Sequence, residues 1–400
     1  MLWAFCLPAL LWLAAGAVVA AVASAGLAGP RASWLAVHLI FVGGISQVLI
    51  GAGQFFSSAY LATEPPPRRT TRAQSVSWNA GALLVAIGLP SGAGGLTAAG
   101  GGLLLAGLAL YTAALRRLER DSLQRARWAV RWYYGSAAFL ATGSLLGATL
   151  ATGAGWTHGS LFAAHITCNL AGWFGGAIIG TLHTFFPTLT NGRLEHPRLQ
   201  GPAFMLWYGG VAAFAAGEAF AAAPLAWSGA AAIAAAAALL CVNLAASARA
   251  ARGPVGLPAR LIGAAQGFLI AGIVVACWML IAAGPLALTS DPWRSALGVL
   301  LGIGWIGMTF AGSLVHLLGV LARVRGGAPP MRPKPRRDGA LTAALALAVA
   351  LLAAAQDHAL AELRTGAAAL VFLLALPLAA RIARLAAGAL RATRPVTPGM

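Results

Sequence analysis

Twelve times along its 400 residues the chain runs apolar for long enough to cross a bilayer. A hydrocarbon layer of about 30 Å takes about 20 such residues in helical form. No water in that layer can satisfy backbone N–H and C=O groups, so runs of this length select helices that pair those groups internally. The runs lie at about 2–28, 33–62, 76–91, 95–115, 132–153, 159–188, 203–222, 224–248, 259–286, 295–322, 339–355 and 365–386. Composition agrees: 60% of residues are hydrophobic and 9% charged, too few to cover a soluble globule, where roughly a quarter are charged. The expected fold is all-α, a polytopic membrane protein of about twelve transmembrane helices. Residues 1–400 are expected to form a single membrane domain.

The net charge of +18 would suit a nucleic-acid partner, but its distribution points to topology. Arg68, Arg69 and Arg72 follow the second run, Arg116, Arg117, Arg120, Arg125, Arg127 and Arg131 the fourth, and Arg323 to Arg337 the tenth. Including the loops after the sixth and eighth runs and the C-terminal end, 24 basic residues fall on one side; only Arg31, Arg294 and Arg364 fall on the other. The positive-inside rule then puts both termini in the cytoplasm of a bacterial cell with the protein in its plasma membrane. Residues 323–338, rich in Pro and Arg, read as a cytoplasmic linker and 387–400 as a cytoplasmic tail. The first run holds small-residue sites at Ala21-Val22-Ala23 and Ala23-Ser24-Ala25 but no basic segment before it, so a retained helix is expected over a signal peptide. Cys6, Cys168, Cys241 and Cys277 all lie inside apolar runs and read as small buried residues, with no disulfide or zinc spacing.

A motif recurs every four runs. Gly172-Trp173-Phe174-Gly175 is followed by Gly180 and His183; Gly304-Trp305-Ile306-Gly307 is followed by Gly312 and His316. The second run holds a looser copy, Gly43, Gly44, Ser46 and Gly51, with Gln54 in the place of His183. Three quasi-equivalent four-helix units follow as an expectation, the glycines letting backbones approach closely. Ionisable groups inside spans are costly and usually functional. His38 opens the second run and His165 the sixth, both toward the outer face, with Glu218, His158, Asp357 and His358 on the same side. Neutral imidazole ligates haem iron, copper or zinc, so His38, His165 and His158 are candidate ligands, with Asn169 one turn beyond His165 as a partner for its ring. Interhelical hydrogen bonding is the competing reading for His38 and His165. At the inner level His183, His316 and Gln54 read as structure or a proton path, and Glu218 as a proton carrier or an outward-snorkelling carboxylate. His165 and His183 stand about 27 Å apart along one helix and cannot share a ligand.

The segment His165-Ile-Thr-Cys-Asn169-Leu-Ala-Gly172-Trp173-Phe-Gly175, running into Ile179-Gly180-Thr181-Leu182, resembles an actinobacterial group of polytopic membrane proteins. In that group the membrane module is often fused to cupredoxin domains of the copper-nitrite-reductase or multicopper-oxidase kind. His38-Leu-Ile-Phe-Val-Gly-Gly-Ile-Ser-Gln-Val-Leu-Ile is similar to the group's other histidine segment. The spacing of the motif also resembles the threefold helix arrangement of haem-copper oxidase subunit I, with the NnrS-type proteins a neighbouring comparison. The departures are specific. The seventh run has no histidine and the tenth has only His316, so a histidine–copper dinuclear centre is not carried over, and no stretch could form a cupredoxin.

The resemblance implies a redox-linked membrane protein holding haem b or copper at His38 and His165. It would pass electrons between quinol and a separate cupredoxin-type copper partner, in nitrogen-oxide or respiratory metabolism, as an oxidoreductase component and not a complete oxidase. A secondary transporter or metal permease is the alternative, as is a cofactor-free assembly partner of a membrane complex. No phosphate-binding loop and no His-Glu-x-x-His motif is present.

Overall fold

The computed structural model describes residues 2–27, 29, 31–124, 127–153, 155–326 and 332–391. Arg125, Arg394, the middle of the 323–338 segment (327–331) and the tail beyond 391 lie outside them. Among the described residues there is no strand. Alanine and leucine, the strongest helix formers, fill the apolar runs, and each run coincides to within a few residues with one long helix. These are α1 (Trp3–Ser24), α2 (Ala32–Tyr60), α3 (Arg68–Ser91), α4 (Gly94–Asp121), α5 (Arg127–Ala151) and α6 (Leu161–Leu189). They continue with α7 (Gln200–Ala219), α8 (Ala223–Arg249), α9 (Leu257–Ala283), α10 (from Trp293 through Gly326), α11 (Pro335–Ala354) and α12 (Arg364–Arg391). Helix α10 ends at Gly326 and α11 begins at Pro335, so regular winding reaches into both ends of the expected linker.

Among the described residues nine helices are long and apolar enough to cross a membrane, where the sequence count expects twelve. The other three are α3, α5 and α7. Helix α3 opens on Arg68, Arg69 and Arg72; α5 begins with Arg127 and Arg131 among aromatic residues; α7 carries Glu218. The chain is a multi-pass membrane protein.

By its internal contacts the chain forms two compact units. The first holds Met1–Thr181 and Phe204–Ile233, the second Leu182–Ala203 and Ala234–Met400. In both, an even-numbered helix changes its winding midway. Leu39–Ile45 in α2, Cys168–Gly175 in α6 and Gly298–Gly307 in α10 are π-helical. π-Winding is rare, is usually confined to single-turn bulges and concentrates at functional sites; here it runs seven to ten residues. All three stretches fall on the recurring glycine motif.

In the first unit the contacts around these stretches repeat with a shift of 129 residues. The Trp78 indole N–H donates to the Val42 carbonyl at 2.9 Å, and the Trp207 indole to the Ala171 carbonyl at 3.0 Å. A methyl added at Gly81 would stand 2.8 Å from the Gly100 carbonyl, and one at Gly210 would stand 2.9 Å from the Gly229 carbonyl. The hairpins α3–α4 and α7–α8 therefore close on equivalent glycine pairs. The preceding helix packs alike as well. Gly43 and Gly51 on α2 lie under Trp12 and Phe5 of α1, and Gly172 and Gly180 on α6 lie under Phe139 and Trp132 of α5. The second unit shows the same relation: Gly304 and Gly312 on α10 lie under Phe268 and the Leu261–Ile262 step of α9. Glycines eight apart meet bulky residues about seven apart in each case.

Candidate functional site: a pair of histidines in the first unit

Helices α2 and α6 are neighbours in the first unit. The Phe41 and Phe174 rings meet edge to face at 5.2 Å, and the Trp173 indole donates to the Ser46 hydroxyl at 2.9 Å. His38 and His165 stand at the start of these helices, each in the last α-helical turn before the π stretch. Both are half-buried, and they lie within electrostatic reach of one another.

Each imidazole is held by a backbone carbonyl. His38 Nδ1 lies 2.9 Å from the Trp34 carbonyl one turn earlier, and the Trp34 indole stacks on the ring at 4.0 Å between centroids. His165 Nδ1 lies 2.7 Å from the Gly143 carbonyl on α5. A ring nitrogen facing a carbonyl must carry the proton, so each neutral ring keeps its lone pair on Nε2. This is the arrangement in which a second partner fixes the tautomer and orients the ring of a ligating histidine.

Asn169 was expected to be that partner. It lies beside the ring, with Nδ2 3.3 Å from His165 Nδ1, but its stronger bond is donated to the His165 carbonyl at 2.7 Å. The Gly143 carbonyl facing His165 Nδ1 decides the tautomer, because a protonated Nδ1 cannot also accept from the Asn169 amide. The wall behind is made of glycine for space. A methyl at Gly147 would stand 2.8 Å from the His165 ring, and one at Gly143 would run into the Asn169 amide.

The remaining candidates are spread over other surroundings. Glu218 is buried and accepts the Thr167 hydroxyl at 2.7 Å. Thr167 lies two residues beyond His165, on the other side of α6, so the carboxylate and the imidazole face different neighbours. Glu218 also anchors the loop before α6 through its main chain, its carbonyl accepting from Ser160 N at 2.9 Å. His158 is exposed and meets the Trp156 ring edge to face at 5.1 Å. Among the described residues no three His, Cys, Asp or Glu side chains gather as a metal site would require, so His158 does not complete a three-ligand set with His38 and His165.

Gln54 belongs to an amide chain in the first unit: its Nε2 donates to Gln74 Oε1 at 3.0 Å, and Gln74 donates to the Leu110 carbonyl at 3.0 Å. His183 and His316 lie in the second unit. His183 is fully buried beside Asn243, with Nδ1 3.2 Å from the amide nitrogen. Asn243 in turn holds both the N–H and the carbonyl of His196, at 3.1 and 3.2 Å. This cluster clamps the loop between α6 and α7. His316 meets Phe185 edge to face at 5.4 Å.

Reasoning from sequence missed two features. One is the Gly143 carbonyl, for which a residue name carries no signal. The other is Gln47, the partner of Asn79: their amides exchange bonds of 3.1 and 2.9 Å while Trp12 donates to Asn79 at 2.7 Å. Gln47 also donates to the Gly43 carbonyl in the π stretch at 2.6 Å. No family model matches the chain, and no characterised protein matches it either.

Proposed function

We propose that this chain is a redox-linked membrane protein whose twelve long helices all cross the plasma membrane of a bacterial cell, with both termini on the basic, cytoplasmic side. His38 and His165 would hold a b-type haem. The observation that supports this most is the shared state of the two rings: each has Nδ1 tied to a carbonyl, at 2.9 and 2.7 Å, and Nε2 left to ligate. Two neutral imidazoles on neighbouring helices would suit haem iron as nitrogen ligands. Copper held by protein side chains alone would call for more donors than the pair provides. When bound, the haem supplies one-electron transfer, with its potential set by ligands, hydrogen bonds and burial.

The chain's own residues do the rest. The Gly143 and Trp34 carbonyls fix the tautomer and orientation of both rings, and Gly147 leaves the space in which the His165 ring lies. Trp34 covers the His38 ring on one face and limits its access to solvent. Electrons would arrive from quinol or leave to a separate cupredoxin-type copper protein, in respiratory or nitrogen-oxide metabolism. The chain would serve as an oxidoreductase component. The repeat of contacts at a shift of 129 residues supports a plan of four-helix units, three in all, like that of haem-copper oxidase subunit I.

The test is an absorbance spectrum of detergent-purified protein, oxidised and dithionite-reduced, with iron and copper measured on the same sample. We expect one iron per chain with sharp reduced bands, and loss of nearly all of it in His38→Ala and in His165→Ala. A colourless wild-type protein without iron or copper would remove the redox reading. Transport would then lead, resting on the buried Glu218–Thr167 pair and the interrupted helices, as at the midplane sites of transporters; an assembly role without cofactor would follow.

A further inference from the structure

A cleft of about 510 Å³ opens between α4 and α5 in the first unit. Its walls are Leu105 and Leu108 on α4 and Ala137, Ala138 and Ala141 on α5, side chains too short on the α5 side to fill the space between the helices. At one end the lining turns polar, with Arg116, Glu119 and Tyr134. The Tyr134 hydroxyl donates to Glu119 Oε2 at 2.7 Å, which ties the one carboxylate of the rim to the cleft wall. Arg120, one turn beyond Arg116, also lies within electrostatic reach of Tyr134. Both arginines are exposed, and together they outnumber Glu119.

The dimensions match half a membrane. Leu105 and Arg116 are eleven residues apart on α4, about 16 Å of helix, and one leaflet of hydrocarbon is about 15 Å deep. An apolar trough about one leaflet long that ends at Arg116, with Arg120 one turn beyond, has the shape of an acyl chain below a phosphate. We propose that this cleft is a binding site for an anionic phospholipid of the basic-side leaflet, its phosphate on Arg116 and Arg120 and one acyl chain along Leu105, Leu108, Ala138 and Ala141. Leaflets on the basic side of membrane proteins carry the anionic lipids that such arginines attract. The site rests on the membrane assignment and is independent of the histidine pair.

The full-length protein in mixed micelles is offered equal amounts of dioleoyl phosphatidylglycerol and dioleoyl phosphatidylcholine and examined by native mass spectrometry. The wild type should retain phosphatidylglycerol in preference. Arg116→Gln with Arg120→Gln should weaken retention by about thirtyfold, at roughly a factor of five for each arginine. Ala138→Phe, which fills the trough and keeps both charges, should lose the adduct too. Arg68→Gln with Arg69→Gln removes the same charge from the same side and should retain it. All these positions are exposed, and an unchanged gel-filtration profile verifies folding; should the Phe variant fail that check, the two arginine pairs decide alone. Retention of phosphatidylglycerol by the Arg116/Arg120 variant would overturn the proposal, as would equal loss in the Arg68/Arg69 variant or equal retention of phosphatidylcholine. Competition by glycerol phosphate would make it a site for soluble phosphate, and displacement by an uncharged decyl quinone would make it a neutral isoprenoid site; either result also overturns it.

Discussion

At the residue scale, the polar side chains of the first unit differ in what they could be replaced by. Glu218 accepts a hydrogen bond from Thr167 in a buried place. Glu218→Gln keeps an acceptor there and should leave the thermal midpoint in detergent close to that of the wild type. Glu218→Leu strands the Thr167 hydroxyl, a cost of about 1–3 kcal/mol, and should lower the midpoint clearly. If the two variants melt alike, the hydrogen bond is not what the carboxyl contributes. His165 was legible as a candidate because an imidazole in an apolar run is conspicuous. Its partner was not, since a backbone carbonyl such as that of Gly143 leaves no mark on composition, and only the packing of α5 against α6 brings it there. Asn169 was readable at the right helical spacing and did land beside the ring, yet it spends its better bond on the main chain of its own helix.

At the element scale, the glycines divide into those that are pressed and those that are not. Gly172→Leu and Gly180→Leu would drive into Phe139 and Trp132, and Gly43→Leu into Trp12. Overpacking of this kind costs about 1–3 kcal/mol or more, and each variant should unfold at lower temperature or lower denaturant. A methyl added at Gly101 or Gly209 meets nothing within 4 Å, and Gly101→Ala and Gly209→Ala should not destabilise. The tryptophans that reach the π stretches offer a second measurement. Trp78→Phe and Trp207→Phe remove the donor to Val42 and Ala171 and leave part of a buried indole's volume empty; the Ala171 carbonyl keeps its Gly176 N–H, so the cost is a lost bond and a small cavity, about 1–3 kcal/mol together. Equal stability of wild type and Phe variants would show that the indole bonds add nothing to stability. The helical runs themselves were readable from apolar length, and so was the recurrence of the glycine motif. The π-winding was not: it inserts no residue type of its own, and hydrophobic periodicity gives no sign of it when all faces are apolar.

At the scale of the whole molecule, arginine placement predicts which loops share a side. Single cysteines in place of Arg69 and Arg323, in a variant whose four native cysteines are replaced, should react with a membrane-impermeant maleimide only after the cells are opened. A cysteine at Arg31 or Arg294 should react in intact cells. Labelling of Arg69→Cys and Arg31→Cys from the same side would mean that α2 does not cross. The recurring contacts also locate what is particular to this chain. A shift of 129 residues carries Val42 to Ala171, Gly81 to Gly210 and Trp78 to Trp207, but it carries His38 to Thr167 and brings His165 from Ala36. The frame is shared between the copies, and the two histidines occupy places that are not equivalent in it. The pair is therefore a departure from the internal symmetry, as is Gln54 against His183, where the same shift turns an amide into an imidazole.

The indole bonds to the π stretches have a consequence for how the chain is made. A carbonyl has two lone pairs, and the Ala171 carbonyl already accepts the Gly176 N–H of its own helix, so the Trp207 indole is a second donor to it. Trp78 and Trp207 are each carried by the helix synthesised next, so these bonds form only when that helix arrives. Helix α2 gains the tie from its π stretch when α3 enters the bilayer, and α6 gains its tie when α7 does. Biogenesis of the first unit would then proceed by hairpins, with α2 and α6 each pinned at the π stretch by its successor.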